Sequence, residues 1–304
     1  MDQKSRNNLI FFGTEAFSAQ SLKALVKAGY QIAAVVTKPD SPAGRGGTTS
    51  IGPVKLVALR HRIKILQPAK LEGFEQTLKP LNPLLGVLVA YGQILPSAVL
   101  DVFDRGIVNL HPSKLPEYRG PSPIESALLH GDKETAVSLI KLTAKMDAGP
   151  IYSQHVVKIN KADDRPTLYQ RLGAVGSRLL VNDLEKLLDG SLLAKPQDES
   201  RATYTKFLKK NDGLIDWAKS AELIERQIRA FLGWPGSQTM IRDVRITIES
   251  ATIGALNGPP GEYIISSNRQ LHICCGNGSL MINKLRPAGR RTMTAKEFIS
   301  GYLK

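Results

Sequence analysis

The sequence predicts an α/β chain of two parts: a parallel or mixed sheet covered by helices on both faces, then a small β-barrel. Three observations carry this. Over the first 190 residues, short β-rich runs alternate with segments whose apolar residues recur at helical spacing, the mark of βαβ units. A polar stretch without a period, Leu193 to Ala202, holds Pro196 and interrupts the alternation. Beyond it, short β runs are punctuated by Gly, Pro and Asn, as in small barrels.

The elements follow in order. Leu9 to Phe12 opens as a strand, turns at Gly13-Thr14, and leads into a helix marked by Phe17, Leu22, Leu25 and Val26. Ile32 to Thr37 reads as the second strand, Val54 to His61 as a helix, Ile63 to Leu66 as the third strand, and Leu84 to Ala90 as a buried central strand. A helix around Ser97 to Phe103 precedes a strand at Gly106 to Leu110. Thr167 to Leu188 is helical and ends at Gly190. After the linker, Ser220 to Phe231 reads as a helix, and Gln238 to Ile253, Gly261 to Ile265, Leu271 to Cys275 and Leu280 to Leu285 as β runs. The predicted domains are residues 1–206, with the linker from about 191, and 207–304.

With 304 residues, 42% hydrophobic and 22% charged, the chain is long enough for two cores and outside the disordered and disulfide-scaffold classes. The longest apolar runs fall far short of the ~18 to 20 residues that span a bilayer. The polar start lacks a signal-peptide pattern, so a cytoplasmic location is expected. Cys274 and Cys275 are adjacent, with no second pair for a zinc site, and read as buried thiols. The net charge of +14 points to a polyanionic partner. Residues 201–304 hold 16 basic and 8 acidic side chains, so the excess is densest there.

Several chemistries lack their signatures. Phe12-Gly13-Thr14-Glu15 has one glycine where a dinucleotide fingerprint needs three, and no Walker sequence, H-E-x-x-H or G-x-S-x-G occurs. Ligands of doubly wound sheets lie beyond the strands' carboxyl ends, which draws the search to residues just after strands. The richest such segment runs from Ile107 to Ile151. It holds Asn109 and His111, the loop Pro112 to Gly120, and Met146 to Pro150.

Asn109-x-His111, Ser113-x-Leu115-Pro116, Tyr118-Arg119-Gly120 and Asp147-x-Gly149 together resemble the signature of folate-dependent formyltransferases. Phe12-Gly13-Thr14, Lys38-Pro39-Asp40, Pro42 to Gly46, Gln67-Pro68, Val89 to Gly92, Ile94-Leu95-Pro96, Ile215-Asp216-Trp217 and Arg229-Ala230-Phe231 resemble, in order, the branch that formylates methionyl-tRNA. The resemblance spans nearly the whole chain. It implies a Rossmann-like formyltransferase domain with a C-terminal OB-like β-barrel. The co-substrate implied is 10-formyltetrahydrofolate and the partner methionyl-initiator tRNA, with no metal and no membrane, in a monomer.

The resemblance also implies roles. Formyl transfer to an amine passes through a tetrahedral oxyanion, which needs donors aimed at the developing charge. Asn109 supplies an amide, His111 a cation when protonated, and Asp147 a carboxylate able to relay the amine's proton. Folate would lie against Val89, Tyr91, Gly92 and Ile94 and against Ser113, Lys114, Leu115 and Pro116. Arg45, in the Gly- and Pro-rich stretch Pro39 to Pro53, would meet the tRNA acceptor end. Lys206, Lys209, Lys210, Arg286, Arg290 and Arg291, with Arg242, Arg245 and Lys284, would meet its phosphates. Gly47-Thr48-Thr49, Lys114 and Lys145 depart from the family pattern. Two rivals stand beside this reading: the same chemistry with a sugar amine or water as acceptor, and a non-catalytic RNA-binding relative.

Overall fold

The structure is a computed structural model that describes residues 8–42 and 49–303. Its contacts divide the chain into two compact units. One holds the chain up to Pro123, Glu134–Lys158 and Tyr169–Thr205; the other holds Ile124–Lys133, Ile159–Leu168 and the chain from Lys206 onward.

The elements begin with β1 (Leu9–Gly13), α1 (Ala16–Lys27), β2 (Ile32–Val36), the short pair β3 (Ser41–Pro42) and β4 (Thr49–Ser50), α2 (Pro53–Arg60) and β5 (Ile65–Leu66). There follow α3 (Glu75–Leu78), β6 (Leu85–Val89), α4 (Ser97–Leu100), β7 (Ile107–His111), α5 (Pro123–His130), β8 (Glu134–Lys141), β9 (Ile151–Lys158) and α6 (Arg165–Asp189). The seven-stranded sheet of the first unit runs β5-β2-β1-β6-β7-β8-β9. Its first five strands are parallel, and β8 and β9 add on antiparallel pairings. The α/β reading therefore holds, and the sheet is mixed.

All five residues of β1 are buried, which is why it reads as a continuous apolar run rather than an alternation. On one face Ile10, Phe12, Ala34 and Val36 pack with Leu78, Tyr91, Val99 and Phe103. On the other, α6 lies so close that a Cβ on Gly176 would stand 2.7 Å from Leu110 and 3.0 Å from Val137. Ser21 of α1 and Ser177 of α6 meet at 3.1 Å. Chain order reverses between β1 and β6, so the sheet's crevice opens beyond the carboxyl ends of these strands and of β7.

In the second unit α7 (Ala221–Ala230), β10 (Ser237–Ile241), β11 (Val244–Gly254), β12 (Tyr263–Ile265), β13 (Leu271–Cys274), β14 (Ser279–Pro287), β15 (Met293–Thr294) and α8 (Ala295–Tyr302) follow one another. The antiparallel sheet runs β10-β11-β14-β13-β12, with β15 on β14. It is a half-barrel, since its ends β10 and β12 do not pair. The run Gln238 to Ile253 is a hairpin, turned at Arg242, whose φ is +49°. Ile224 and Ile228 of α7 and Phe298 of α8 fill the half-barrel with Ile246, Ile248, Leu271 and Leu285. Both cysteines are buried here and unbridged. Among the described residues no helix is long and apolar enough to cross a membrane.

Candidate active site

The site grows from the end of β7. Side chains two apart on a strand share a face. Leu110 points to α6, so Asn109 and His111 turn to the other face, both buried. Parallel pairing sets Leu88 of β6 beside Asn109, so the segment after β6 emerges next to His111.

The third group arrives from the turn between β8 and β9. Asp147 has φ +48°, a left-handed conformation uncommon outside glycine and tolerated best by asparagine and aspartate. Two residues on, a Cβ at Gly149 would lie 1.7 Å from the Lys141 carbonyl, so only glycine fits that approach. Asp147 Oδ1 accepts from Asn109 Nδ2 at 3.2 Å, and Oδ2 accepts from the Gly120 backbone N–H at 2.8 Å. Oδ2 also lies 3.6 Å from His111 Nδ1. His111 Nε2 faces the Tyr118 carbonyl at 3.0 Å, which fixes the proton on that nitrogen and turns Nδ1 to the carboxylate. The structure thus brings Asn109, His111 and Asp147 together, and adds Tyr118 and Gly120 to them through backbone groups. Tyr118 has φ +60° and Gly120 φ +110°, so this turn is bent to present them.

The loop after β7 is scaffolded from within. Ser113 Oγ donates to the Glu117 carbonyl at 2.7 Å, and the Ser113 carbonyl accepts from Ser138 Oγ at 2.6 Å. Gln154 Nε2 donates to Ser138 Oγ and to the Leu115 carbonyl. Ser113 and Leu115 are buried, Lys114 pairs with Glu134 at 2.5 Å, and the Pro116 carbonyl accepts from the Thr203 N–H at 3.3 Å. Beyond β6, Val89 and Tyr91 are buried, and the Tyr91 ring packs edge-on to Phe12 at 5.8 Å. Burial pushes the Tyr91 phenol up to about 12. Gly92 takes φ +74°, with the Lys38 ammonium against it, and Ile94 is 87% exposed. Of this set, Ile94 offers the most exposed side chain and Lys114 a partly exposed one, whereas Val89, Tyr91, Ser113 and Leu115 are buried and their carbonyls accept from Ser18, Thr14, Ser138 and Gln154.

The basic candidates lie in the second unit. Lys206, Lys209 and Lys210 are exposed at its entry, Lys210 opening a short 3₁₀ turn. Arg286 is exposed on β14 and holds Glu249 at 2.9 Å; Arg290 and Arg291 are exposed in the following turn, whose Ala288 N–H donates to the Arg245 carbonyl. Arg45 lies outside the described residues. Trp217 packs on the half-barrel core and donates to Thr239, and Trp234 is half exposed.

Arg119, known from the sequence only as part of the Tyr118-Arg119-Gly120 motif, is central here. Arg119 is fully buried, and Glu199 holds its guanidinium more firmly charged while Glu199 itself falls below the ordinary carboxylate range. An arginine between Tyr118 and Gly120 carried no burial signal in the sequence.

Two family profiles cover this chain: formyl transferase over residues 7–184 and formyl transferase, C-terminal domain, over residues 207–303. The chain belongs to the formyltransferase family. Among its relatives, the methionyl-tRNA formyltransferase of Methylococcus capsulatus is 39% identical over 298 residues, covering 97% of this chain and 96% of that protein. That of Thermodesulfovibrio yellowstonii is 40% identical over 297 residues, with 97% and 96% covered. Among solved structures, an N-formyltransferase from Helicobacter canadensis, in complex with folinic acid and dTDP-3-aminofucose, shares the formyltransferase fold. Its TM-score is 0.70 at 20% identity, covering 91% of this chain and 98% of that one.

Proposed function

We propose that this formyltransferase moves the formyl group of 10-formyltetrahydrofolate to the α-amine of methionyl-initiator tRNA. Relatives carrying the methionyl-tRNA formyltransferase name over almost their full length support the substrate pair. The observation that carries the chemistry is the cluster of Asn109, His111 and Asp147 at the carboxyl end of β7, with both oxygens of the carboxylate engaged.

In this reading the amine lone pair attacks the formyl carbon and the carbonyl π pair moves onto oxygen. Asn109 Nδ2 has two hydrogens. One binds Asp147, and the other is available to the oxyanion, a donor fixed before reaction and therefore free of reorganisation cost. His111, when protonated, adds positive charge from the same face. Asp147 takes the proton that the attacking amine sheds, directly or through water. The C–N10 bond then breaks, N10 leaves with the electron pair and gains a proton, so the transfer is proton-neutral overall.

Folate is read as lying beside residues 89–92 and 113–116, with the exposed Ile94 as an apolar contact. Lys206, Lys209, Lys210, Arg286, Arg290 and Arg291 are read as phosphate contacts, which add affinity with little sequence information. The test supplies 10-formyltetrahydrofolate with methionyl-initiator tRNA, with a nucleotide-sugar amine, or with water alone. Formyl-methionyl-tRNA is the expected product; formate alone, or a formylated sugar alone, contradicts the proposal.

A further inference from the structure

The stretch from Lys195 to Thr205 has the composition of a linker, yet it is tied into the first unit. Lys195 exchanges two backbone hydrogen bonds with Ile151, both at 2.8 Å. The Arg119 N–H donates to the Thr203 carbonyl and the Thr205 N–H to the Arg119 carbonyl, at 2.9 and 2.7 Å. At its centre lies Arg119, whose guanidinium has five N–H donors. Nε and Nη2 donate to Gln197 Oε1 at 3.1 and 2.8 Å, Nη1 and Nη2 to the Glu199 carboxylate at 3.1 and 2.7 Å, and Nη1 to the Tyr204 hydroxyl at 3.1 Å. All five therefore end on this one segment.

The other end of Gln197 reaches the catalytic turn. Its Nε2 donates to the Asp147 carbonyl at 2.8 Å and to the Gly149 carbonyl at 2.7 Å. Both amide hydrogens and the amide oxygen are thus engaged, and the amide cannot flip, because a flipped NH₂ would face the guanidinium. Asp147 sits at φ +48°, where a short polar residue persists only if its surroundings hold it. The same buried arginine is flanked by the two groups that define the site from the other side: the Tyr118 carbonyl on His111 and the Gly120 N–H on Asp147.

We infer that Gln197 is a positioning residue for Asp147, anchored by Arg119, so that the linker segment sets the geometry of the catalytic centre. The inference rests on the formyl-transfer reading, and it goes beyond it by assigning a role to a residue that touches neither substrate nor reacting atoms. A displacement of about 1 Å at a reacting group can cost about 100-fold in rate. Losing the hold on Asp147 therefore shows in kcat rather than in KM.

Gln197→Glu separates the two halves of the contact. A carboxylate keeps the acceptor that Arg119 needs and loses both donors to the Asp147 turn. Gln197→Met, of similar length without either polar function, is the second variant, and Arg201→Gln, on the same segment and paired outward with Glu117, is the control. Each is assayed well below its own melting temperature in single-turnover and steady-state formyl transfer. Gln197→Glu should lower kcat about 10- to 100-fold with both KM values within about 3-fold, while Arg201→Gln stays near wild type.

The deciding readout is the double variant. Placed in Asp147→Asn, Gln197→Glu should cost no more than about 2-fold further, because its effect runs through that residue. The full single-variant factor reappearing in Asp147→Asn, or a loss confined to KM, overturns the inference. Should Gln197→Glu not fold, the same cycle run with Gln197→Met decides by the same criterion. Wild-type turnover on methionyl-tRNA checks the underlying reading separately. If wild type only released formate, the variant ratios would still be read on that reaction.

Discussion

Replacing Asn109 by Ala removes the amide and its hydrogen bond to Asp147 while leaving the imidazole and the carboxylate themselves in the chain. Asn109 is 6% exposed, and one of its two Nδ2 hydrogens is engaged by Asp147 at 3.2 Å. Asp147 keeps the shorter bond from the Gly120 N–H at 2.8 Å, so the carboxylate stays close to its place. The main loss is the second hydrogen, the donor read as meeting the oxyanion. Removing one such preorganised donor costs about 10² to 10³ in kcat, or ~2.7 to 4 kcal/mol of transition-state stabilisation. The donor meets charge that exists only in the transition state, so KM for folate and for methionyl-tRNA should remain within about 3-fold. The assay is steady-state formyl transfer at saturating tRNA, with formylated and free methionyl-tRNA separated by gel. A kcat within about 5-fold of wild type, or a loss carried by KM, refutes the assignment of Asn109 to the oxyanion.

Gly149→Ala should abolish most activity and lower stability by about 1–3 kcal/mol, because its Cβ would meet the Lys141 carbonyl at 1.7 Å; a variant with wild-type melting and turnover contradicts that contact. Asp40, Asp189, Asp198, Glu199 and Glu297 are each held below the ordinary carboxylate range, chiefly by hydrogen bonds from Lys55, Ser191, Ser200, Arg119 and Thr294 respectively. The unfolded chain then binds more protons across that range, so stability is full above the unfolded values and declines as pH falls through the folded ones. Urea midpoints measured from pH 7 to 3 should drop accordingly, and a flat profile counts against these bonds. Binding of methionyl-tRNA should weaken steeply with salt, and Arg290→Gln with Arg291→Gln should make the log–log slope shallower by about 2; an unchanged slope removes those two from the phosphate contacts.

Much of the first unit was legible because its signals are local. β1, β2, β6 and β7 are short apolar runs, and α1 and α6 carry helical periodicity, so each was readable within two or three residues. The hairpin of β10 and β11 merged into one run, since the turn at Arg242-Asp243 lacks glycine. β9 escaped because it is largely exposed at the sheet's edge and lacks an apolar stripe; β8, buried between β7 and β9, also escaped, its apolar run being short and interrupted by Ser138. The proposed trio of Asn109, His111 and Asp147 is visible as a motif, and its spacing does not reveal how the three side chains come together. Asp147 stands 38 residues from Asn109, and nothing local shows that the turn before Gly149 folds back over β7. Gln197 and Arg119 were harder still. A glutamine in a polar, proline-containing stretch reads as solvent-exposed, and its role arises only when a buried arginine 78 residues away meets it.

The most direct test is a single-turnover experiment with enzyme in excess, comparing wild type with Asp147→Asn on methionyl-initiator tRNA and 10-formyltetrahydrofolate. A carboxylate that accepts the amine's proton should be worth about 10² to 10⁴ in the rate of formyl transfer, with affinity for both substrates kept within a few-fold. Wild-type product formation with that loss is the predicted result. An Asp147→Asn enzyme that transfers formyl at the wild-type rate, or that loses binding and rate in equal measure, would contradict the account.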